Sequence, residues 1–146
     1  MKGVYKQRGF TLIEVLVAML LLTVGLMSAL NMQSTAILGN KGARDMTVAT
    51  NMAAEIVERM RISGKSYAYN DLDTDADCPL ADPVKGDCEQ WKSRLNDPDI
   101  GLVRARGRVS VVSGVPYDRL TTATVTVTWF TNREKKIVYE TIIRTW

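Results

Sequence analysis

The sequence predicts an α+β fold, in which one long N-terminal helix packs on an antiparallel sheet of three or four strands. Three observations predict this fold: an apolar run over residues 10–30, an amphipathic pattern over residues 31–64, and segments of alternating polarity within residues 65–146. A chain of 146 residues has room for one small globular domain besides its apolar segment. We therefore expect a transmembrane half-helix, an amphipathic half-helix and a domain of loop and sheet over these three ranges.

The apolar segment is long enough to cross a bilayer. From Phe10 to Leu30 it carries a single charge, Glu14, and a helix of that length rises about 30 Å. A carboxylate in such a span costs about 2.5–3.5 kcal/mol near the bilayer centre, and it usually has a partner. Glu14 is therefore expected to pair with a cation inside the membrane.

The residues before this segment, 1–9, form a short polar leader. Its charges are three cations and no acid: Lys2, Lys6 and Arg8. Positive charge favours a cytoplasmic location for this end and export of the remainder. Gly9 stands at the junction with Phe10, where a small residue gives a peptidase access to the backbone. Cleavage there would create an amine four residues from Glu14.

Residues 8–14, Arg-Gly-Phe-Thr-Leu-Ile-Glu, resemble the prepilin signature of type IV pilins and type II secretion pseudopilins. The resemblance implies the pilin fold and cleavage after Gly9 by prepilin peptidase. It also implies N-methylation of the new amino terminus, Phe10. Glu14 takes the position of the family's assembly carboxylate, which pairs with the terminal amine of a neighbouring subunit.

A secretory signal peptide is the alternative to a prepilin leader. Its apolar segment would lie at residues 15–30, with cleavage near Ser34 and Ala36. Glu14 would interrupt that segment, and a signal peptide does not require the order Gly-Phe-Thr-Leu-Ile-Glu. The prepilin interpretation therefore accounts for more of the sequence.

Charge and composition argue against an enzyme. The leader supplies the whole formal charge of +3, so the chain from Phe10 onward is neutral. The sequence contains no histidine, which removes the commonest general base and the commonest zinc ligand. It has no nucleophile elbow and no glycine-rich phosphate loop. We expect no catalytic residues and no cofactor, and we assign no metal site.

The amphipathic segment predicts that the helix continues past the membrane, from about Phe10 to Ile62. Apolar residues recur there at steps of three and four: Met46, Ala49, Ala53, Ile56, Val57 and Met60. The polar residues Arg44, Asn51, Glu55 and Glu58 fall on the opposite face. Gly64 is the expected terminator, and Gly25, Gly39 and Gly42 are weak points that could bend the helix.

The connecting region, residues 65–101, shows neither helix nor strand periodicity, and it is interrupted by prolines and glycines. We predict a loop that contains one short helical turn, which begins with Trp91 and Leu95, four residues apart. Cys78 and Cys88 lie in the exported part, so a structural disulfide is expected, with two free thiols as the alternative. The order Cys88, Trp91, Leu95 also resembles a recurring pattern of PilV-type minor pilins.

Alternating acids occupy the start of this region: Asp71, Asp73, Asp75 and Asp77. This is how an EF-hand loop supplies oxygens to calcium, and Asp82 falls at the twelfth position. Ala76, however, replaces the glycine of the sharp turn, and Asp82 is shorter than the usual glutamate. The segment is either a calcium site, as some pseudopilins have in this part of the fold, or a solvated acidic loop.

Three C-terminal segments alternate with period two. In the first, the apolar positions are Val103, Ala105, Gly107, Val109 and Val111. In the second, threonines separate Ala123, Val125, Val127 and Trp129. The third, Ile137–Trp146, follows a short polar turn at residues 131–134, which predicts a hairpin. Residues 113–117 separate the first two strands. The pattern predicts an antiparallel meander whose buried face receives the outer half of the helix.

Arg104, Arg106 and Arg108 form a stripe on the first of these strands. Such a stripe suits a phosphate backbone, and some minor pilins of competence systems bind DNA. The alternative is a solvated strand face balanced by nearby acids. The neutral charge of the chain after the leader and the absence of an aromatic platform among the arginines favour that alternative.

The resemblance implies a minor pilin of the PilV type, a structural component of a type IV pilus. Its partners would be prepilin peptidase and other pilins, which it contacts through the apolar helix. Its location would be the bacterial inner membrane, with the C-terminal domain in the periplasm, and then the pilus. Two alternatives stay open: a minor pseudopilin of a type II secretion system, or a membrane-anchored pilin that binds DNA or surfaces.

Overall fold

A computed structural model describes residues 9–79, 81–114 and 120–144 and confirms the α+β, pilin-like fold. Its helices are α1 (Leu12–Ser63) and α2 (Val84–Leu95), with a short 3-10 turn at Ser66–Tyr69, and its strands are β1 (Arg106–Ser113), β2 (Leu120–Phe130) and β3 (Glu134–Arg144). The chain forms two compact units, Met1–Lys41 and Gly42–Trp146. Predictions for the leader before Gly9, for the turn at 115–117 and for the last two residues lie outside the described ranges.

The long helix is confirmed, because α1 comprises 52 residues and ends within one residue of the expected terminator. Gly64 has a φ of +65°, the left-handed conformation that glycine adopts readily and that commonly ends a helix. The three glycines expected as weak points lie inside α1 without interrupting it. Local helix propensity at those positions is therefore outweighed by the surrounding residues.

The sheet is the predicted antiparallel meander, with the order β1-β2-β3. The alternation of β2 is confirmed: the residues that face α1 are buried, whereas the threonines between them are partly exposed. In the register, Val125 lies opposite Val109 of β1 and Tyr139 of β3. This central row is therefore the middle of the apolar face on which the outer half of α1 packs.

Two strand boundaries differ from the prediction. The first strand begins at Arg106 rather than at Val103, because Arg104 has a φ of +50° and turns the chain out of the extended conformation. Val103 is consequently exposed instead of buried. The third strand begins earlier than predicted, at Glu134, because three residues suffice to connect it to β2.

The buried face of α1 also differs in part from the prediction. Met46 is exposed, whereas Asp45 and Met52 are buried on the face shared with Ala49 and Ala53. The expected apolar positions from Ala49 onward are confirmed. The buried face does include the turn before Ala49, but Asp45 lies on it rather than the neighbouring Met46.

The prediction of an unstructured connecting region was wrong. Instead of a short turn at Trp91, the twelve-residue helix α2 begins at Val84, directly after Pro83 at its N-cap position. Its buried residues recur with helical spacing: Val84, Cys88, Trp91 and Leu95. Proline was interpreted as a helix breaker, although it is compatible with the start of a helix. The predicted disulfide between Cys78 and Cys88 is present, with a Cα–Cα distance of 5.8 Å.

The indole of Trp91 joins α2 to both other layers of the domain. Its Nε1 donates a hydrogen bond to the carbonyl oxygen of Met52 in α1 at 3.0 Å. Its six-membered ring lies against Gly107 of β1, where an added Cβ would be 2.2 Å from the nearest ring carbon. Only glycine therefore leaves room for this ring at position 107.

We expect Gly107→Ala to destabilise the domain, because either the buried Trp91 ring or strand β1 must move. Overpacking of this kind costs about 1–3 kcal/mol or more. Thermal unfolding of the full chain in detergent, followed by tryptophan fluorescence, measures the effect. The matched control is Gly86→Ala in α2, where an added Cβ meets nothing closer than 3.9 Å. Equal melting temperatures for the two variants would contradict this account of Gly107.

Candidate functional site

The N-terminal end of α1 places the predicted site residues close together in sequence and in space. Thr11 precedes the helix, and its Oγ1 and carbonyl oxygen accept hydrogen bonds from the Glu14 backbone N–H at 3.4 and 3.1 Å. This is the arrangement of an N-cap residue. Phe10 and Gly9 lie before the first helical residue, so the predicted cleavage bond is outside the helix.

The Glu14 side chain lies on an apolar surface. Every described residue from Gly9 to Lys41 is exposed. Glu14 borders a shallow depression together with the apolar residues Phe10, Val15, Ala18, Met19 and Leu22. Among the described residues, no ion pair and no side-chain hydrogen bond involves the Glu14 carboxylate. The first turn of the helix thus presents one acid without a partner in that part of the chain.

The apolar part of α1 is long and hydrophobic enough to cross a membrane, judged by its length and composition. Residues 5–30 match the family model described as the prokaryotic N-terminal methylation motif. This motif is characteristic of type IV prepilin-like proteins. It implies processing by prepilin peptidase and assembly with other pilins, and together with the helix it is consistent with membrane anchoring. Comparison with curated proteins and with solved structures finds no match.

The prepilin motif also bears on the signal-peptide alternative. Ser34 and Ala36, near which a signal peptidase would cut, both lie well inside α1. The matched residues include Gly9, Phe10 and Glu14. The observations at this end of the chain therefore favour a prepilin leader over a secretory signal peptide.

Two of the alternating aspartates, Asp73 and Asp75, contact arginines of β1. Asp73 Oδ2 accepts a hydrogen bond from Arg108 Nη2 at 2.7 Å, and Asp75 Oδ2 lies 2.9 Å from Arg106 Nε. The backbone N–H of Asp75 and the Arg108 guanidinium hold the pKa of the Asp73 carboxyl below its usual range. Over the described residues, no group of three or more His, Cys, Asp or Glu side chains is arranged to hold a metal ion.

The predicted arginine stripe is divided by the same contacts. Arg106 and Arg108 lie on β1, and each pairs with one carboxylate, Asp75 or Asp73, of the acidic segment at residues 71–77. Arg104 is not on the strand, and its guanidinium lies 5.9 Å from the centroid of the Phe130 ring. Two of the three arginines therefore face acids, as the alternative of a balanced strand face expects, and Arg104 does not continue their row.

A network of charged and polar groups, which the sequence did not reveal, connects α1, the 3-10 turn and α2. The Tyr69 hydroxyl donates a hydrogen bond to Asp87 Oδ2, and Arg59 Nη1 donates to Asp87 Oδ1 at 2.9 Å. Arg59 Nη2 donates to Glu55 Oε1 at 2.8 Å, and Glu55 Oε2 accepts from Arg94 Nη1. Burial alone would lower the pKa of Arg59, but the two carboxylates outweigh it and raise that pKa.

Tyr69 is the buried member of this network. Burial, and then its hydrogen bond to Asp87, raise the pKa of the phenol to about 12 from an ordinary value of 10.0. Because the pKa is higher in the folded than in the unfolded state, the associated stabilisation is complete below the unfolded-state pKa. It is lost as the pH rises from about 10 towards 12.

We therefore expect the unfolding free energy of the full chain to fall over this pH range, and to fall less in Tyr69→Phe, which keeps the ring but cannot ionise. Denaturant unfolding in detergent at several pH values, followed by tryptophan fluorescence, measures it. Tyr67→Phe removes an exposed phenol from the same turn and should leave the pH dependence unchanged. A Tyr69→Phe variant with the wild-type pH dependence would exclude Tyr69 as its source.

Proposed function

We propose that this chain is a minor pilin, a structural component that enters a type IV pilus through its apolar helix. The observation that carries the proposal is Glu14, an acid without a partner in the described chain, at the start of an exposed apolar helix within a prepilin motif. Prepilin peptidase would cut between Gly9 and Phe10 and methylate the Phe10 nitrogen. Until assembly, α1 would anchor the chain in the inner membrane, with the domain in the periplasm.

The physical basis of assembly is the cost of an isolated charge in a low-dielectric environment. Glu14 is the only charged residue between Phe10 and Asn40, so this chain offers no cation along the segment that would lie among lipid tails or neighbouring helices. A buried charge without a partner is costly, and a charge paired with good geometry is much less so. The terminal amine of a neighbouring subunit would supply that partner, and lateral packing of apolar helices would hold the two groups together.

The remainder of the domain supports a structural role. Its charged side chains on β1 and around Tyr69 are engaged with one another. Within the described ranges, no group of three or more His, Cys, Asp or Glu side chains is arranged to hold a metal ion. These features suit a subunit that acts by contact with other subunits.

We expect Glu14→Ala to be cleaved and inserted normally but to be recovered from sheared pili at roughly tenfold lower level or less. Loss of one member of a buried charge pair costs about 3–5 kcal/mol. The matched control is Thr23→Ala in the same segment, whose hydroxyl only bonds the carbonyl of Leu20, and it should assemble normally. Immunoblots of sheared and membrane fractions measure incorporation.

Mass spectrometry of the membrane-extracted protein tests the processing step separately. The expected mature chain begins with Phe10 and carries a methyl group on its nitrogen. Any other first residue would contradict the prepilin interpretation, and normal incorporation of Glu14→Ala would contradict the charge pairing. A deletion strain that keeps its pili but fails to secrete exoproteins would instead identify a type II secretion pseudopilin.

A further inference from the structure

The two edge strands of the sheet, β1 and β3, differ in whether other parts of the chain cover their outward-facing backbone. The β1 edge is covered by the chain's own residues: Leu72 O accepts from Val109 N at 2.8 Å, and Gly107 O accepts from Thr74 N at 3.0 Å. The Asn70 side chain also accepts a hydrogen bond from the next outward-facing amide of β1 at 2.8 Å. The acidic segment thus serves as a short additional strand on that edge.

The β3 edge has no equivalent cover. Apart from the residues of β2, no described residue forms a hydrogen bond with the backbone of β3 between Glu134 and Ile143. β3 comprises eleven residues, and its pairing with β2 is continuous from Glu134 to Arg144. In an edge strand, alternate backbone N–H and C=O groups point away from the sheet and are free to pair with another strand.

Side chains are less buried on β3 than on the central strand β2. On the face towards α1, Val125 and Val127 of β2 are buried, whereas Ile137 and Tyr139 of β3 pack on the core but are only partly buried. On the opposite face, two apolar side chains of β3, Val138 and Ile142, are 56% and 51% exposed. One additional strand beside β3 would cover these groups on both faces.

Most of β3 lacks the devices that protect an exposed edge. Natural edges are protected by prolines, bulges, short length, charged side chains (especially lysine) or inward-pointing charges. β3 contains no proline, and its register shows no bulge. Its single inward-facing charge is Lys135, near the beginning of the strand. Lys136 and Glu140 lie at exposed positions on the outer face, so the inward-facing positions from Ile137 to Ile143 carry no charge and are open to a partner strand.

We propose that the β3 edge binds an extended strand of a different protein in the assembled structure, which rests on the proposed role as an assembling subunit. A row of free backbone N–H and C=O groups on an edge strand favours binding of a partner in an extended conformation. The partner strand would carry apolar residues against Ile137 and Tyr139. It would carry acidic residues beside the start of β3, where the three cations Arg133, Lys135 and Lys136 outnumber one acid, Glu134. The acidic segment of this chain already occupies the β1 edge, so the complementary strand comes from elsewhere.

Hydrogen–deuterium exchange with mass spectrometry tests the proposal on the full chain. Exchange over residues 134–144 is compared in three samples: purified monomer in detergent, native inner-membrane vesicles and sheared pili. The outward-facing amides of β3 should exchange about tenfold or more slowly in an assembled sample than in the monomer, because a hydrogen-bonded amide must open before it exchanges. Equal exchange in all three samples would overturn the proposal.

A pair of lysine variants one residue apart separates edge pairing from other contacts. Ile137→Lys places an inward-pointing charge at the edge and should abolish the protection, whereas Val138→Lys points to the outer face and should retain it. If Ile137→Lys melts below the wild type, Thr141→Lys takes its place, because this inward-facing side chain is already polar. Loss of protection in Val138→Lys as well would overturn edge pairing in favour of contact through the outer face.

The outcomes also separate this proposal from the pilin function. Protection in vesicles from a chain that is missing from sheared pili would support the edge proposal and contradict the pilus role. A chain that is incorporated in pili with an unprotected β3 would do the opposite. Cross-linking from position 138 to the same position of a second copy would overturn the assignment of a different protein as the partner.

Discussion

The domain depends on the burial of Trp91 between its helices and its sheet. The indole N–H satisfies a backbone carbonyl of α1, and its ring occupies the space that Gly107 leaves on β1. α2 carries this side chain on the same face as Cys88, which is cross-linked to the end of the acidic segment. One short helix therefore contacts the outer half of α1, the edge strand β1 and the segment that covers that edge.

Charge has different roles in the two units. In the domain, acidic and basic side chains pair across elements, so that Asp73 and Asp75 hold the segment against β1 and the Tyr69–Asp87–Arg59 contacts hold α2 against α1. In the apolar half of α1, the Glu14 carboxylate has no ion-pair partner among the described residues. The domain uses charge for its own folding, and in the proposed assembly the apolar helix presents a charge to another molecule.

The sequence was sufficient where structure depends on local pattern. The long helix, the alternation of β2 and the disulfide follow from spacing within one segment, and Arg8 to Glu14 revealed the prepilin motif. It was insufficient where structure depends on tertiary contacts. The contact between Tyr69 and Asp87 depends on the packing of α2 beside the 3-10 turn. Arg104 adopts a left-handed conformation that keeps it out of β1. Asp45 is buried by the residues packed around it.

The continuity of α1 has a mechanical consequence. The same unbroken ladder of backbone hydrogen bonds includes Glu14 and the core residues from Ala49 to Met60. In the proposed filament, tension applied to the anchored end would pass along this helix directly into the core. Hydrophobic packing, the Trp91 contact and the cross-linked helix beside it would bear that load together, so resistance to pulling is a property of the domain interior as much as of the anchor.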